Sequence, residues 1–499
     1  EHAIDLASAD PNWNEIRGSA ISMIFQEPMS SLNPVMKVGK QLAETLMQHN
    51  RISSAESKAQ AISWLEKVRL PDPAKTYGKY PHQLSGGQKQ RIMIAMAMCN
   101  NPALLIADEP TTALDVTVQL EIINLMLALQ KETGTAMLFI THDLALAAAI
   151  ADEVLVMFNG KAMEYGVMRE VLADPTHAYT RALLECRPSP SHKGKPLPSV
   201  SDIMQKDGSD TSDPIVPEKH AASVPGKTIL KVENLRVWFS EEENWLGKST
   251  RYFRAVEDVS FEIREGEILG LVGESGCGKS SLSKSLIGLL PVHEGQILFN
   301  GEDLAKIDNE CWVRVRRDIQ MIFQDPYASL NPRLTVGQLI MEPLKVHKIV
   351  PAAETRKEAL RLLTAVQLPA DAFYRYPHEF SGGQRQRVNI ARALAMRPKL
   401  IICDESVSAL DVSVQAQILN LLKELQQEFS LSYLFISHNL GVVHYISDRV
   451  MVMQAGSIVE EGRATDVLFH PREDYTKKLI ASEPGVWFDQ QGPGQRSTP

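Results

Sequence analysis

The apolar positions of this chain fall into short unbroken runs, set apart by helical stretches and glycine-rich turns. Ile268-Leu269-Gly270-Leu271-Val272 is such a run and predicts a buried strand. Behind it, residues 281–290 carry apolar side chains at 282, 286, 289 and 290, a helical spacing. Leu104-Leu105-Ile106-Ala107, Met137-Leu138-Phe139-Ile140, Leu400-Ile401-Ile402-Cys403 and Tyr433-Leu434-Phe435-Ile436 read as strands of a parallel sheet covered on both faces. Residues 41–67 carry helical signals, 83–100 read as a loop then a helix, and 384–394 as a helix. Residues 231–239 alternate and predict a strand. Strands interleaved with helices make the chain α/β.

The pattern occurs twice. Ser85-Gly86-Gly87-Gln88-Lys89-Gln90-Arg91 returns as Ser381-Gly382-Gly383-Gln384-Arg385-Gln386-Arg387, and 17 of the 31 positions from Ser85 to Asp115 match their partner 296 residues on. Ile24-Phe25-Gln26-Glu27-Pro28 returns as Ile322-Phe323-Gln324-Asp325-Pro326, and Thr141-His142-Asp143-Leu144 as Ser437-His438-Asn439-Leu440. A period near 300 is a duplicated domain rather than a solenoid. The expected boundaries are a first domain at 1–186, a Pro- and Ser-rich linker at 187–227, a second domain at 228–484 and a frayed tail at 485–499.

The second copy carries Gly273-Glu274-Ser275-Gly276-Cys277-Gly278-Lys279-Ser280 between a strand and a helix. This is the phosphate-cradling pattern G-x-x-x-x-G-K-S in its required context. Its glycines let successive backbone N–H groups face an anion at a helix N-terminus. Lys279 would reach the β- and γ-phosphates, and the Ser280 hydroxyl would hold Mg²⁺. In that copy Lys279 precedes Gln324 by 45 residues, and counting as far back from Gln26 passes residue 1. The first copy is therefore expected to lack its own loop, as an N-terminally incomplete chain short of on the order of 70 residues.

Asp404-Glu405 ends an apolar strand, as Asp108-Glu109 does in the first copy. Adjacent strand residues point to opposite faces, so one carboxylate can hold Mg²⁺ while the other polarises a water. His438 and His142 follow strands and suit a γ-phosphate contact. Gln324 and Gln26 follow apolar runs and suit sensing of Mg²⁺ and of the attacking water. The Ser85–Gln88 and Ser381–Gln384 stretches each open a helix, a second anion-binding device that suggests a nucleotide held by another domain.

Composition narrows the class without naming a reaction. The net charge of −9 argues against a surface that wraps nucleic acid. No run approaches the ~20 apolar residues of a membrane span, and residues 1–5 do not form a signal peptide. Five scattered cysteines without a CxxC disfavour disulfides and a zinc site, which fits a reducing compartment.

Taken in order, the phosphate loop, the glutamines, the Ser-Gly-Gly-Gln stretches, the paired carboxylates, the Ala-Leu-Asp stretches and the histidines resemble the nucleotide-binding subunits of ATP-binding cassette transporters. Phe-Gln-Glu-Pro-Met-Ser-Ser-Leu-Asn-Pro at 25–34, Phe-Gln-Asp-Pro-Tyr-Ala-Ser-Leu-Asn-Pro at 323–332, and the segments at 177–184 and 474–479 resemble the oligopeptide, dipeptide and nickel importers more narrowly. The resemblance implies a P-loop NTPase with two tandem cassettes, each a mostly parallel sheet plus a helical subdomain. It implies ATP and Mg²⁺ as ligands and hydrolysis coupled to import of a peptide, glutathione-like or microcin-like peptides included.

The same resemblance implies one ATP site built from Gly273, Glu274, Ser275, Gly276, Cys277, Gly278, Lys279, Ser280, Gln324, Asp404, Glu405 and His438, closed by Ser85, Gly86, Gly87 and Gln88. The mirror site would use Gln26, Asp108, Glu109 and His142, closed by Ser381, Gly382, Gly383 and Gln384. Asp404 and Asp108, with Ser280 and Gln324, would serve the metal. Glu405 and Glu109 would activate water, and Asp115 and Asp411 would link the two sites. Phe239 is the expected adenine stack and Tyr252 the alternative. The implied partners are two membrane permeases and, through them, a solute-binding protein, at the cytoplasmic face of the inner membrane. Docking is expected at 27–36 and 325–334. The competing class is a soluble twin-cassette ATPase acting on ribosomes or DNA. The short Pro-rich linker, the absence of zinc-type cysteine sets and the acidic balance disfavour it. A catalytically dead subunit is disfavoured by Lys279, Glu405 and His438 occurring together.

Overall fold

The structure is a computed structural model, and it describes residues 13–26, 31–111, 116–200, 203–204, 226–243, 249–408 and 410–482. The expected features at 1–6, 27–30, 115, 201–202, 205–225 and 485–499 lie outside these residues. The chain divides into two compact units, 1–154 with 166–172, and 155–165 with 173–499.

In the first unit β1 (Ile21–Ile24), β2 (Leu104–Asp108) and β3 (Ala136–Ile140) form a parallel sheet in the order β1-β2-β3. Packed with it are α1 (Val38–His49), α2 (Ser54–Lys67), α3 (Gly86–Met98) and α4 (Val116–Thr133). The helical signal at 41–67 resolves into two helices, because Ser53 and Glu56 cap each other's backbone and start α2 afresh. Ile24, Leu42, Leu65, Ile92, Ala107 and Leu125 meet in the core of this unit. β3 differs from its expected double cover. Leu138 and Ile140 are exposed, because among the described residues β3 is the last strand of its sheet.

In the second unit β4 (Glu153–Phe158) pairs with β5 (Lys161–Val167), followed by α5 (Ala178–Glu185). Next come β6 (Thr228–Glu243), β7 (Ser249–Arg264), β8 (Ile268–Val272), α6 (Lys279–Leu286), β9 (Glu294–Phe299), β10 (Glu302–Asp303) and β11 (Ile319–Ile322). The helical layer is α7 (Val336–Val346), α8 (Thr355–Ala365) and α9 (Gly382–Leu394). The chain closes with β12 (Leu400–Asp404), α10 (Val412–Phe429), β13 (Ser432–Ile436), α11 (Leu440–Ile446), β14 (Arg449–Gln454), β15 (Ser457–Arg463) and α12 (Asp474–Ala481).

An antiparallel sheet runs β10-β9-β6-β7, and a six-stranded sheet runs β11-β12-β13-β8-β14-β15. The second sheet is parallel from β11 to β14, with β15 antiparallel at its edge. Every residue of β8, β12 and β13 is buried, as expected of runs with no polar alternation. α6 ends earlier than the apolar spacing to residue 290 predicts. Gly288 turns left-handed at φ +66 and Trp312 lies against it, which stops the helix as a glycine just past its end does.

The strand order positions the chemistry. β8 lies between β13 and β14, so the loop at 273–278 leaves the middle of the sheet. β12 and β11 lie on the far side of β13, and the chain leaves them at Glu405 and Phe323. Residues from all four strand ends therefore meet outside the carboxyl edge of one parallel sheet, the usual ligand crevice of such sheets.

Candidate functional site

Two glycines fix the shape of the loop after β8. A Cβ on Gly273 (φ +155) would lie 2.3 Å from the Met453 carbonyl, and one on Gly278 (φ +111) would lie 2.2 Å from the Ala255 carbonyl. Only glycine fits either position. Lys279, 5% exposed, folds back over the loop and donates to the carbonyls of Gly273 (2.7 Å) and Glu274 (2.9 Å). Its ammonium stands 4.0 Å from Glu405 Oε1. The lysine thus holds the loop's own carbonyls, and an arriving phosphate is a stronger partner for the same cation.

Glu405 is the hub. Gln324 Nε2 donates to its Oε2 at 2.9 Å, and His438 Nδ1 lies 3.6 Å from the same oxygen. The backbone of Glu405 is left-handed at φ +48, and its N–H donates to Ile436 O at 3.0 Å. That conformation is uncommon for a side chain larger than glycine and concentrates at working sites. It turns the carboxylate off the strand axis toward Gln324 and His438. Burial raises the Glu405 carboxyl, but the His438 contact and the Lys279 charge outweigh it and hold the group below the ordinary glutamate range. Glu405 is therefore a carboxylate, as a group that polarises water must be.

Asp404 is the opposite case. Burial, and next the neighbouring Glu405 charge, lift it above the ordinary aspartate range. The Ser280 and Ser283 hydroxyls lie 3.4 and 3.5 Å from its two oxygens. A buried acid beside a second carboxylate, faced by hydroxyl oxygens, is short of positive charge. Hard oxygen donors of this kind suit Mg²⁺, so the residues present fit the ion.

The first copy repeats the hub from its own residues. Gln26 Nε2 donates to Glu109 Oε2 at 2.8 Å, and His142 Nδ1 lies 3.0 Å from Glu109 Oε1. Glu109 is left-handed at φ +43, with its N–H on Ile140 O. Asp108 closes β2 beside it.

Ser85 and Ser381 each cap a helix in a reciprocal box with Gln88 and Gln384. Gly86, Gly87, Gly382 and Gly383 form the first turns behind them. A Cβ on Gly383 would lie 2.1 Å from a Val414 methyl, so α10 packs directly on the backbone of this helix tip. Asp411 in turn caps α10 by accepting from the Val414 N–H at 2.9 Å.

The aromatic candidates separate by face. The Tyr252 ring packs on Trp238 (5.9 Å) and His293 (5.5 Å), and Trp238 donates its indole N–H to Glu257. Phe239 alternates with Trp238 and pairs with Phe253 across the β6–β7 ladder, so it looks the other way and is 37% exposed.

Two neighbours of the site escape motif reading. Ser283 reaches Asp404 from one turn into α6, and the Tyr475 hydroxyl of α12 accepts from the Glu274 N–H at 3.3 Å. Tyr475 lies in the importer-like segment at 474–479, and Tyr475-Thr476 repeats Tyr179-Thr180, but neither signal points to the phosphate loop. None of the five cysteines is in a disulfide, and burial pushes Cys99 and Cys403 up to about 12, which makes those two packing residues rather than reactive ones.

The family model described as "ABC transporter" matches residues 2–112 and 256–408. The model described as "Oligopeptide/dipeptide transporter, C-terminal region" matches 163–208. The glutathione import ATP-binding protein GsiA of Pectobacterium atrosepticum is 48% identical over 470 residues, 94% of this chain and 75% of its own length. Its counterpart in Escherichia coli strain K12 is 48% identical over 479 residues, 96% of this chain and 77% of its own length. These likenesses disfavour the ribosome or DNA reading.

Proposed function

Because this chain belongs to the ABC transporter family, as an ATPase subunit of the peptide-importer class, we propose that its cargo is glutathione or a peptide of that size. The relatives' names supply the cargo, and the motifs at 323–332 and 474–479 supply the class. We place the protein on the cytoplasmic face of the inner membrane, joined to two permeases that receive cargo from a solute-binding protein. No helix of the described residues is long and apolar enough to cross a membrane, so the motion of the cassettes must be handed on.

The handover is proposed at a cleft of about 250 Å³ lined by Ile287, Leu289, Met321, Phe323 and Arg392 among others. Asn389 and Arg392 of α9 donate to the Pro326 and Ser329 carbonyls beside it. The segment behind Gln324 is thereby tied to the helix that Ser381 caps. An apolar cleft rimmed by arginine suits a short amphipathic segment of a permease. The segment at 27–30 in the first copy lies outside the described residues.

In the proposed reaction ATP enters with adenine on Phe239. Lys279 leaves the Gly273 and Glu274 carbonyls for the β- and γ-phosphates, and the loop N–H groups hold the rest. Mg²⁺, which Ser280, Asp404 and Gln324 would hold, supplies charge compensation on the triphosphate when bound. Glu405 polarises the attacking water, and His438 steadies Glu405 and the γ-phosphate. The Ser85–Gln88 helix tip of the first copy binds the same γ-phosphate from the other side, so closure lasts only while that phosphate is attached. Gln26, Glu109 and His142, with Asp108 at the metal and Ser381–Gln384 as the closing tip, are assigned the same parts in the mirror site.

The carrying observation is the convergence of Gln324, Lys279 and His438 on one ionised, left-handed glutamate. In membrane vesicles holding this protein and its permeases, with the solute-binding protein supplied outside, labelled glutathione is expected to accumulate only with internal ATP, and unlabelled glutathione to compete. Uptake of a dipeptide that glutathione does not compete with would reassign the cargo. Uptake unaffected by removing ATP would remove the proposal.

A further inference from the structure

Residues at the end of the first domain and just beyond it are built into the second unit. Ala182 and Cys186 at the end of α5, then Leu197 and Val200, are buried in the core that also holds Leu419, Val442 and Tyr445. The stretch from 189 to 200 reads as linker by composition, yet it makes four specific hydrogen bonds, two to the end of α11 and two to Asn420 of α10.

α11 begins two residues after His438, with Asn439 between them as its cap, accepting from the Val442 N–H at 2.9 Å. All seven of its residues are buried. A buried helix end leaves carbonyls that need donors. Lys193 Nζ supplies two of them, donating to His444 O at 2.6 Å and Ser447 O at 2.5 Å. Lys423 of α10 takes the carbonyl between, Tyr445 O at 3.0 Å. Two ammonium groups at a helix C-terminus also match its dipole. Asn420 of α10 brackets Leu197 in both directions, accepting from its N–H (2.9 Å) and donating to its carbonyl (2.7 Å). The Tyr445 hydroxyl donates to the same Asn420 oxygen at 2.8 Å.

We propose that residues 189–200 are a strap that holds α11 in place behind His438, and that Lys193 is a positioning residue for hydrolysis. This rests on the reading of His438 as a γ-phosphate contact. A short helix with nothing but Asn439 between it and His438 passes any shift of its axis to the imidazole. The 3.6 Å from His438 to Glu405 therefore depends on what fixes the far end of α11. Lys193 fixes it from the segment that follows the first domain in sequence. Lys193 and Leu197 bond to α10 and to the end of α11, and neither helix contributes a residue to the phosphate loop, so nucleotide binding is expected to survive loss of the strap.

The test is steady-state ATP hydrolysis by the whole protein, with Glu109→Gln in the background to silence the mirror hub, carrying Lys193→Met, Lys193→Arg, His438→Ala, and Lys193→Met with His438→Ala. The expected result for Lys193→Met is a kcat lower by about tenfold, below the ~10²-fold that a misplacement of 1 Å can cost. The KM for ATP should stay within about twofold, because an interaction needed only in the transition state lowers kcat alone. Lys193→Arg should recover most of the rate. The double variant should be no slower than His438→Ala. Tyr445→Phe, which removes one hydroxyl and leaves no cavity, should give a smaller drop with the same dependence on His438, and it stands in should Lys193→Met fail to fold.

The proposal is overturned if His438→Ala is slow while both Lys193→Met and Tyr445→Phe keep a normal kcat, or if their losses multiply with that of His438→Ala. A normal kcat for His438→Ala would remove the reading of His438 itself, and the strap's role with it.

Discussion

Glu405→Gln is expected to cut ATP hydrolysis by at least ~10²-fold, about 2.7 kcal/mol of barrier at 1.36 kcal/mol per tenfold, and to leave ATP binding intact. The substitution changes one oxygen to an amide and keeps the shape of the side chain. The backbone hydrogen bond to Ile436 O and the left-handed turn at φ +48 have no need of the carboxylate. What disappears is the negative charge that His438 and Lys279 hold ionised. An amide neither polarises the water nor accepts its proton, so the loss falls on the transition state. Phosphate release, measured beside equilibrium ATP binding, checks both halves. Glu109→Gln should be present in the background so that the mirror hub cannot supply turnover. Near-normal release from that pair would take Glu405 out of the role.

Lys279→Ala is expected to fail one step earlier. In the structure the ammonium sits on two carbonyls of its own loop and 4.0 Å from Glu405. Its removal leaves the glycine turn free of clashes, since Gly273 and Gly278 are shaped by Met453 and Ala255 rather than by the lysine. The fold should therefore hold while phosphate binding does not. Hydrogen bonds to charged groups contribute about 1.5–3 kcal/mol each, so ATP affinity should fall roughly 10- to 100-fold and hydrolysis further. A fluorescent ATP analogue titrated into both proteins measures it. Equal affinities would mean that the loop amides alone grip the triphosphate.

The two variants separate what could be read from the chain from what could not. Gly273, Gly278 and Lys279 were legible because a phosphate loop is local, with strand, turn and helix following one another in sequence. The pairs Gln26 with Gln324, Glu109 with Glu405 and His142 with His438 were legible because the chain repeats itself. Their meeting on one carboxylate was not, since it depends on β12 lying between β11 and β13, as β2 lies between β1 and β3, and short apolar runs carry no record of their neighbours. The left-handed turn at Glu405 and Glu109 has no sequence signal, because neither residue is one that favours it. The stretch at 189–200 misled by composition. Proline and serine suggest a free linker, while the anchors Lys193, Leu197 and Val200 are spaced too irregularly to show a period. The alternation that identifies β6 left Phe239 and Tyr252 both open, and it is the packing of Tyr252 on Trp238 and His293 that favours Phe239.

The central claim, that the γ-phosphate joins the two cassettes, is tested most directly by spin labels, one on each cassette of the Glu405→Gln protein, read by pulsed electron resonance. With ATP and Mg²⁺ the label-to-label distance should shorten, and with ADP it should return to the nucleotide-free value. The same distance with ATP, with ADP and without nucleotide would contradict the account.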